Sequence, residues 1–166
     1  MLMRVRGGFV RVDAADVPAL SEHDWAVYYQ NWSRTISRGA GSGVGMMHRF
    51  IAQPGRGLVV DHINGDPLDN RRSNLRVCTQ GENARNRRKY RPTASIYKGV
   101  CKNASRRNPW VAIITIRRLV IKLGVFETEE SAARAYDAAA LCLHGPFARL
   151  NFGPNSALAP DHREAP

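Results

Sequence analysis

Cysteine is scarce in this sequence and poorly spaced for metal or disulfide work. Cys78, Cys101 and Cys142 stand far apart, odd in number and without a CxxC pair. That argues against a zinc finger, a zinc ribbon or a disulfide framework. They read as reduced thiols of a cytosolic protein. Long apolar runs are also missing. The opening Met1-Leu2-Met3-Arg4-Val5-Arg6 offers no apolar stretch for a signal peptide or a membrane span, so a cytoplasmic protein is expected. Acids are short as well: 14 against 25 Lys and Arg, a formal net charge of +11. An excess of that size points to a polyanionic partner. Nucleic acid comes first, because clustered cations displace counterions from a phosphate backbone. A ribosome-associated or simply basic protein would show the same excess. No large apolar helix face accompanies the cations, so no membrane partner is expected.

What is present is unevenly placed. Between Arg71 and Arg91 the chain carries eight Lys and Arg against one acid, Glu82. A length of 166 residues suits one domain or two small ones, and the element pattern predicts an α+β fold. Gly8 to Asp13 alternates as a half-buried strand does, opening a small β-rich segment. Asp16 to Asp24 suggests one or two helical turns, with Leu20 and Trp25 facing inward. Trp25–Tyr29 and Trp32–Arg38 could pair as a hairpin. Gly39 to Gly45 reads as a Gly/Ser loop, and Met46 to Ala52 leads on to the next strand.

Residues 57–90 read as strand, loop, strand, helix. Gly57 to His62 is a short apolar strand with Asp61 and His62 at its end. Asn64-Gly65-Asp66-Pro67 is strong turn chemistry, and Asp69 and Asn70 also read as turn formers. Leu75 to Cys78 is the second strand. Thr79-Gln80-Gly81-Glu82 has the form of a capping box, which places Asn83 in the first turn of a helix. The set suits phosphodiester hydrolysis. A histidine can take a proton near neutral pH. A carboxylate and an amide oxygen are good ligands for magnesium or manganese.

Asp61-His62, the central Asn74-Leu75-Arg76 and the helical Asn83 stand in the order of an HNH endonuclease, and residues 48–90 resemble that family's ββα-metal core. The resemblance implies His62 as general base, Asp61 and Asn83 as ligands of one divalent metal ion, and Asn74 as a structural brace. The spacing is similar to that of free-standing or intron-borne phage homing enzymes, with a bacterial cell or phage-infected host as the setting. Met47-His48-Arg49 resembles a segment common in them, with the role of His48 left open between packing, phosphate contact and catalysis. Arg76, Arg85, Arg87 and Arg88 are expected to meet phosphates.

Tyr90 to Ser95 reads as a linker, with residues 91–95 as its core. Beyond it, Ile96–Lys102, Pro109–Arg118 and Val120–Phe126 read as strands. A helix capped by Thr128 follows, with a buried stripe of Ala132, Tyr136, Ala139, Ala140 and Leu143. Gly145-Pro146 ends it. Tyr97-Lys98-Gly99-Val100, Trp110-Val111-Ala112, Leu123 to Phe126, Ala132 to Asp137 and Leu150-Asn151-Phe152 resemble the plant Apetala, or ethylene-response-factor, DNA-binding domain. That resemblance implies a three-stranded antiparallel sheet on one helix, over residues 96–152, with the sheet laid in the major groove. The plant arginines are absent from the sheet positions. Lys98, Lys102, Arg106, Arg107, Arg117, Arg118 and Lys122 are the expected DNA contacts, and Trp110 reads as core. Residues 153–166 read as a disordered tail. The whole points to a metal-dependent homing endonuclease acting on double-stranded DNA, monomer or weak dimer, without a small-molecule substrate. The alternative is a DNA-binding regulator with a silent nuclease core.

Overall fold

A computed structural model of the chain describes residues 1–30, 33–38, 45–88 and 94–153. Most of the expected Gly/Ser loop, Trp32, most of the expected linker and nearly all of the expected tail lie outside the described residues. The fold is α+β, with small antiparallel sheets. The chain divides into two compact units, Met1–Asn83 and Ala84–Pro166. Among the described residues, no helix is long and apolar enough to cross a membrane.

The first unit begins with β1 (Leu2–Val5) and β2 (Gly8–Arg11), paired around Gly7, whose φ of 85° suits a residue without Cβ. β1 was not expected, because only Gly8 onward alternates visibly. The short helix α1 (Val17–Ser21) follows, with Leu20 fully buried. β3 (Trp25–Gln30) and β4 (Ser33–Arg38) form the expected hairpin. Met47–Ala52 is a helix, α2, that ends at Gln53 in the left-handed region. β5 (Val59–His62) and β6 (Leu75–Cys78) pair antiparallel, with Asp61 opposite Arg76. α3 (Gln80–Asn86) follows directly.

These elements share one core: Val5, Val10, Val12, Leu20, Trp25, Ile36, Met47 and Ile51, with Leu68 and Leu75 packed against it. Burying each large aliphatic side chain contributes roughly 1.5–3 kcal/mol. The N-terminal strands are therefore more than a preface to the motif. The Arg11 NH donates to the Leu68 carbonyl and the Asn70 NH to the Arg11 carbonyl, both at 2.8 Å, so β2 braces the motif loop directly.

The second unit holds β7 (Val100–Lys102), β8 (Trp110–Ile116) and β9 (Leu119–Phe126) in that spatial order. α4 (Glu129–His144) packs its Ala132, Ala133, Tyr136 and Ala140 on the sheet, against Val100, Ala112 and Ile114. Thr128 Oγ1 accepts from the Ser131 NH, as a capping residue should. Two expectations need correction. The first strand starts only at Val100, because Gly99 turns the backbone to φ 75° and the Lys98 NH and carbonyl bond the Asn151 side chain instead of a ladder. Leu143 is 47% exposed, and the buried stripe runs instead through Ala133 and Asp137. Asp137 earns its place by accepting from the backbone NH groups of Asn151 and Phe152, which ties down the chain after α4. The uneven alternation of β8 has a cause as well: its pairing with β9 slips at Ala112/Ile113.

Candidate active site

His62 ends β5 and stands half-buried beside the loop that joins β5 to β6. Its Nε2 lies 3.2 Å from Asn70 Oδ1. The Asn70 amide is itself oriented, since Nδ2 donates to the Pro67 carbonyl at 3.0 Å. With the oxygen thereby turned to the ring, Nε2 must carry the proton. In the neutral ring the lone pair then sits on Nδ1. Burial lowers the His62 pKa below 6.5, against upward pulls from the Asn70 hydrogen bond and from Asp61, Asp66 and Asp69. The ring is thus held neutral at pH 7. Asn70, read from sequence as a turn former, is fully buried and acts on the histidine. Nothing in the sequence marks it, because the contact spans eight residues without periodicity.

α2 supplies a second imidazole. The His48 ring lies edge-on to His62 with centroids 5.1 Å apart. Burial, then the neighbouring His62 and Arg49, holds the His48 pKa down at about 4. Two neutral imidazoles face each other, which avoids placing two like charges in contact.

The loop between the strands is held from its middle by Asn74. Its Oδ1 accepts from the Asn64 NH, and its Nδ2 donates to Asn64 Oδ1 and to the Asp69 carbonyl. Asn64 Oδ1 also accepts from the Asp66 NH, and Asp66 Oδ1 from the Leu68 NH, closing two Asx turns. Asp69 is buried and held below the usual carboxylate range by the Arg71 guanidinium, which grips both its oxygens.

Asp61 is buried at the end of β5. Arg76 reaches it across the ladder, with Nε and Nη2 at 2.9 and 2.6 Å from Oδ2. Arg76, expected from sequence to face phosphates, therefore lies on Asp61. At the start of α3 the capping box forms as read: the Glu82 NH donates to Thr79 Oγ1 and the Thr79 NH to the Glu82 carboxylate. Cys78 links the two ends of the site. Burial and then the charge of Asp61 raise its thiol pKa, while the Asn83 backbone NH donates to it. The Asp61 carboxylate and the Asn83 backbone NH thus border one thiol. Among the described residues no three His, Cys, Asp or Glu cluster as a metal site. The donor set available is a carboxylate and an amide, and these hard oxygens fit magnesium or manganese. A metal would share the Asp61 carboxylate with Arg76.

The remaining cations fall into distinct settings. Arg87 and Arg88 are exposed and Arg85 half-buried. In the second unit, Arg106, Arg107, Arg117, Arg118 and Lys122 are exposed. Lys102 holds its ammonium 4.2 Å from the centroid of the half-buried Trp110 ring. Lys98 departs from expectation. Its ammonium turns inward to the backbone carbonyls of Arg85 and Arg87, and burial lowers its pKa to about 8. Carbonyls at a helix end lack intrahelical partners, which makes them natural acceptors for a lysine.

Residues 48–85 match the family described as HNH endonuclease. A protein of Acanthamoeba polyphaga mimivirus, described as an uncharacterized HNH endonuclease, is 31% identical over 157 residues, covering 91% of this chain and 79% of the viral protein. The ethylene-responsive transcription factor ERN1 of Medicago truncatula is 37% identical over 87 residues, 51% of this chain and 32% of the plant protein. The factor ERF016 of Arabidopsis thaliana is 50% identical over 56 residues, 32% of this chain and 26% of its own length.

Proposed function

Since the chain belongs to the HNH endonuclease family, we propose that it hydrolyses phosphodiester bonds in double-stranded DNA with one divalent metal ion. β5, β6 and α3 form the ββα-metal core in this reading. His62 is the general base, and the observation that carries this is its buried partner Asn70, which leaves the lone pair on Nδ1. Nδ1 takes a proton from water, and the hydroxide so formed attacks phosphorus as the bond to the leaving oxygen breaks. Asp61 and Asn83 hold the metal, magnesium or manganese, which when bound neutralises charge on the scissile phosphate and on the leaving oxygen. Arg76 orients the Asp61 carboxylate through two hydrogen bonds to Oδ2, and Asn74 fixes the loop that carries the base. Arg85, Arg87 and Arg88 grip flanking phosphates.

The second unit holds the enzyme on its target. The chain's similarity to plant transcription factors and the exposed cations of the second unit support a DNA-binding role, and the chain as a whole reads as a homing-type enzyme. The test is His62→Ala. Loss of proton transfer costs roughly 10²–10⁴-fold in cleavage rate, while DNA affinity should stay within error. A variant that cleaves at the wild-type rate removes His62 from the role of base.

A further inference from the structure

The two faces of the β7-β8-β9 sheet differ. On one, Ala112 and Ile114 are buried against α4. The other carries Val111, Ile113 and Thr115 of β8 beside Val125, Lys122 and Val120 of β9, paired in that order. Val120 is 64% and Val125 39% exposed. Four aliphatic side chains with one ammionium among them are an odd choice for a solvated face, and such patches mark binding surfaces. The surroundings say what kind of partner fits. Residues 94–126 contain seven Lys and Arg and no Asp or Glu. Arg117 and Arg118 form the β8–β9 turn at φ 47° and 71°, positions that Asn and Gly fill with less strain. Keeping two arginines there points to a use for their charge.

With the sheet laid in the major groove, as the resemblance of residues 96–152 to the plant domain implies, we propose that this face reads the 5-methyl groups of pyrimidines, thymine above all. A two-stranded ribbon fits the groove, and thymine presents there a methyl group that aliphatic side chains contact. Val111, Ile113, Val120 and Val125 bury these methyls, Lys122 donates to a base-edge acceptor, and Arg117 and Arg118 hold phosphates at the groove edge. The proposal rests on the reading of the second unit as DNA-binding and adds what the unit selects.

The test uses the full chain with chelator present, so that nothing is cut. Its affinity is measured for alternating dA-dT and dA-dU duplexes, and for alternating dG-dC duplexes with cytosine or 5-methylcytosine. Each methyl buried is worth about fourfold, so two contacts give roughly tenfold or more in favour of the methylated member of each pair. The triple variant V111S/V120S/V125S removes the methyl groups of three of the four facing aliphatic residues, and it should lose most of the preference while retaining its salt dependence. Equal affinities within both pairs overturn the proposal while strong, salt-sensitive binding leaves the DNA-binding reading standing. No binding to any duplex at low salt overturns both. A preference that survives undiminished in the triple variant also overturns it, since the methyls are then read elsewhere. So does equal affinity together with a dimer that the triple variant dissolves in sedimentation, which assigns the face to a second copy of the chain.

Discussion

Replacing Asn74 by Ala should destabilise the first unit rather than alter any chemistry directly. The side chain makes three hydrogen bonds inside the motif loop: from the Asn64 NH, to Asn64 Oδ1 and to the Asp69 carbonyl. Asn64 Oδ1 keeps another donor, the Asp66 NH at 2.8 Å, so its loss is tolerable. The Asn64 NH and the Asp69 carbonyl lose the partner they have in Asn74. An unsatisfied buried polar group costs about 1–3 kcal/mol. Two such groups together cost roughly 2–6 kcal/mol, a large share of the stability of a unit of this size. The midpoint of thermal unfolding should fall by at least ~10 °C. Asn74→Asp is the sharper control. It preserves the acceptor for Asn64 but turns a carboxylate oxygen on the Asp69 carbonyl, so it should be no better than Ala. Circular dichroism melts of the three proteins decide the matter, with amide exchange at Ile63 and Asn64 locating the damage. An Asn74→Ala midpoint within about 3 °C of wild type would mean that water replaces the side chain and that the brace carries no weight.

Asn70→Ala should cut cleavage roughly 10–100-fold with DNA affinity unchanged, because the His62 ring loses the partner that selects its tautomer. In wild type the acid limb of the pH–rate profile should have its midpoint below 6.5, as burial lowers the His62 pKa and the neutral ring is the active form; a midpoint above 7 would contradict that assignment. His48 has a folded pKa of about 4 against 6.5 unfolded, so the unfolded chain binds the proton first as pH falls. Its contribution is complete above pH 6.5 and is lost between 6.5 and 4, up to about 3 kcal/mol; urea titrations should show that slope in wild type and a flatter one in His48→Phe. Gly99→Ala should disrupt the second unit, because an added Cβ would stand 1.9 Å from the Tyr136 ring at a backbone φ of 75°; an unchanged melt would show that the ring can move aside.

The parts legible in the sequence were those with local signatures. Thr79 and Glu82 announced their capping box and so placed Asn83 in the first turn of α3. Trp25 to Arg38 announced a hairpin, and Thr128 a helix start. What escaped depended on contacts between distant segments. Asn70 looks like any turn asparagine until its amide is fixed by Pro67 and aimed at His62. Lys98 looks like one more surface cation until the carbonyls of Arg85 and Arg87 draw it inward. The α4 stripe was misphased at Leu143 because alanines mark a buried side only weakly. Asp137, the polar residue that belongs on that side, is explained only by Asn151 and Phe152.

Incubation of the full chain with supercoiled plasmid, in chelator and in graded magnesium or manganese, tests the central claim most directly. The account predicts nicked or linear DNA only where metal is present, with chelator returning the plasmid to intact. Plasmid that is bound but stays uncut at every metal concentration would contradict it and leave a DNA-binding protein with a silent core.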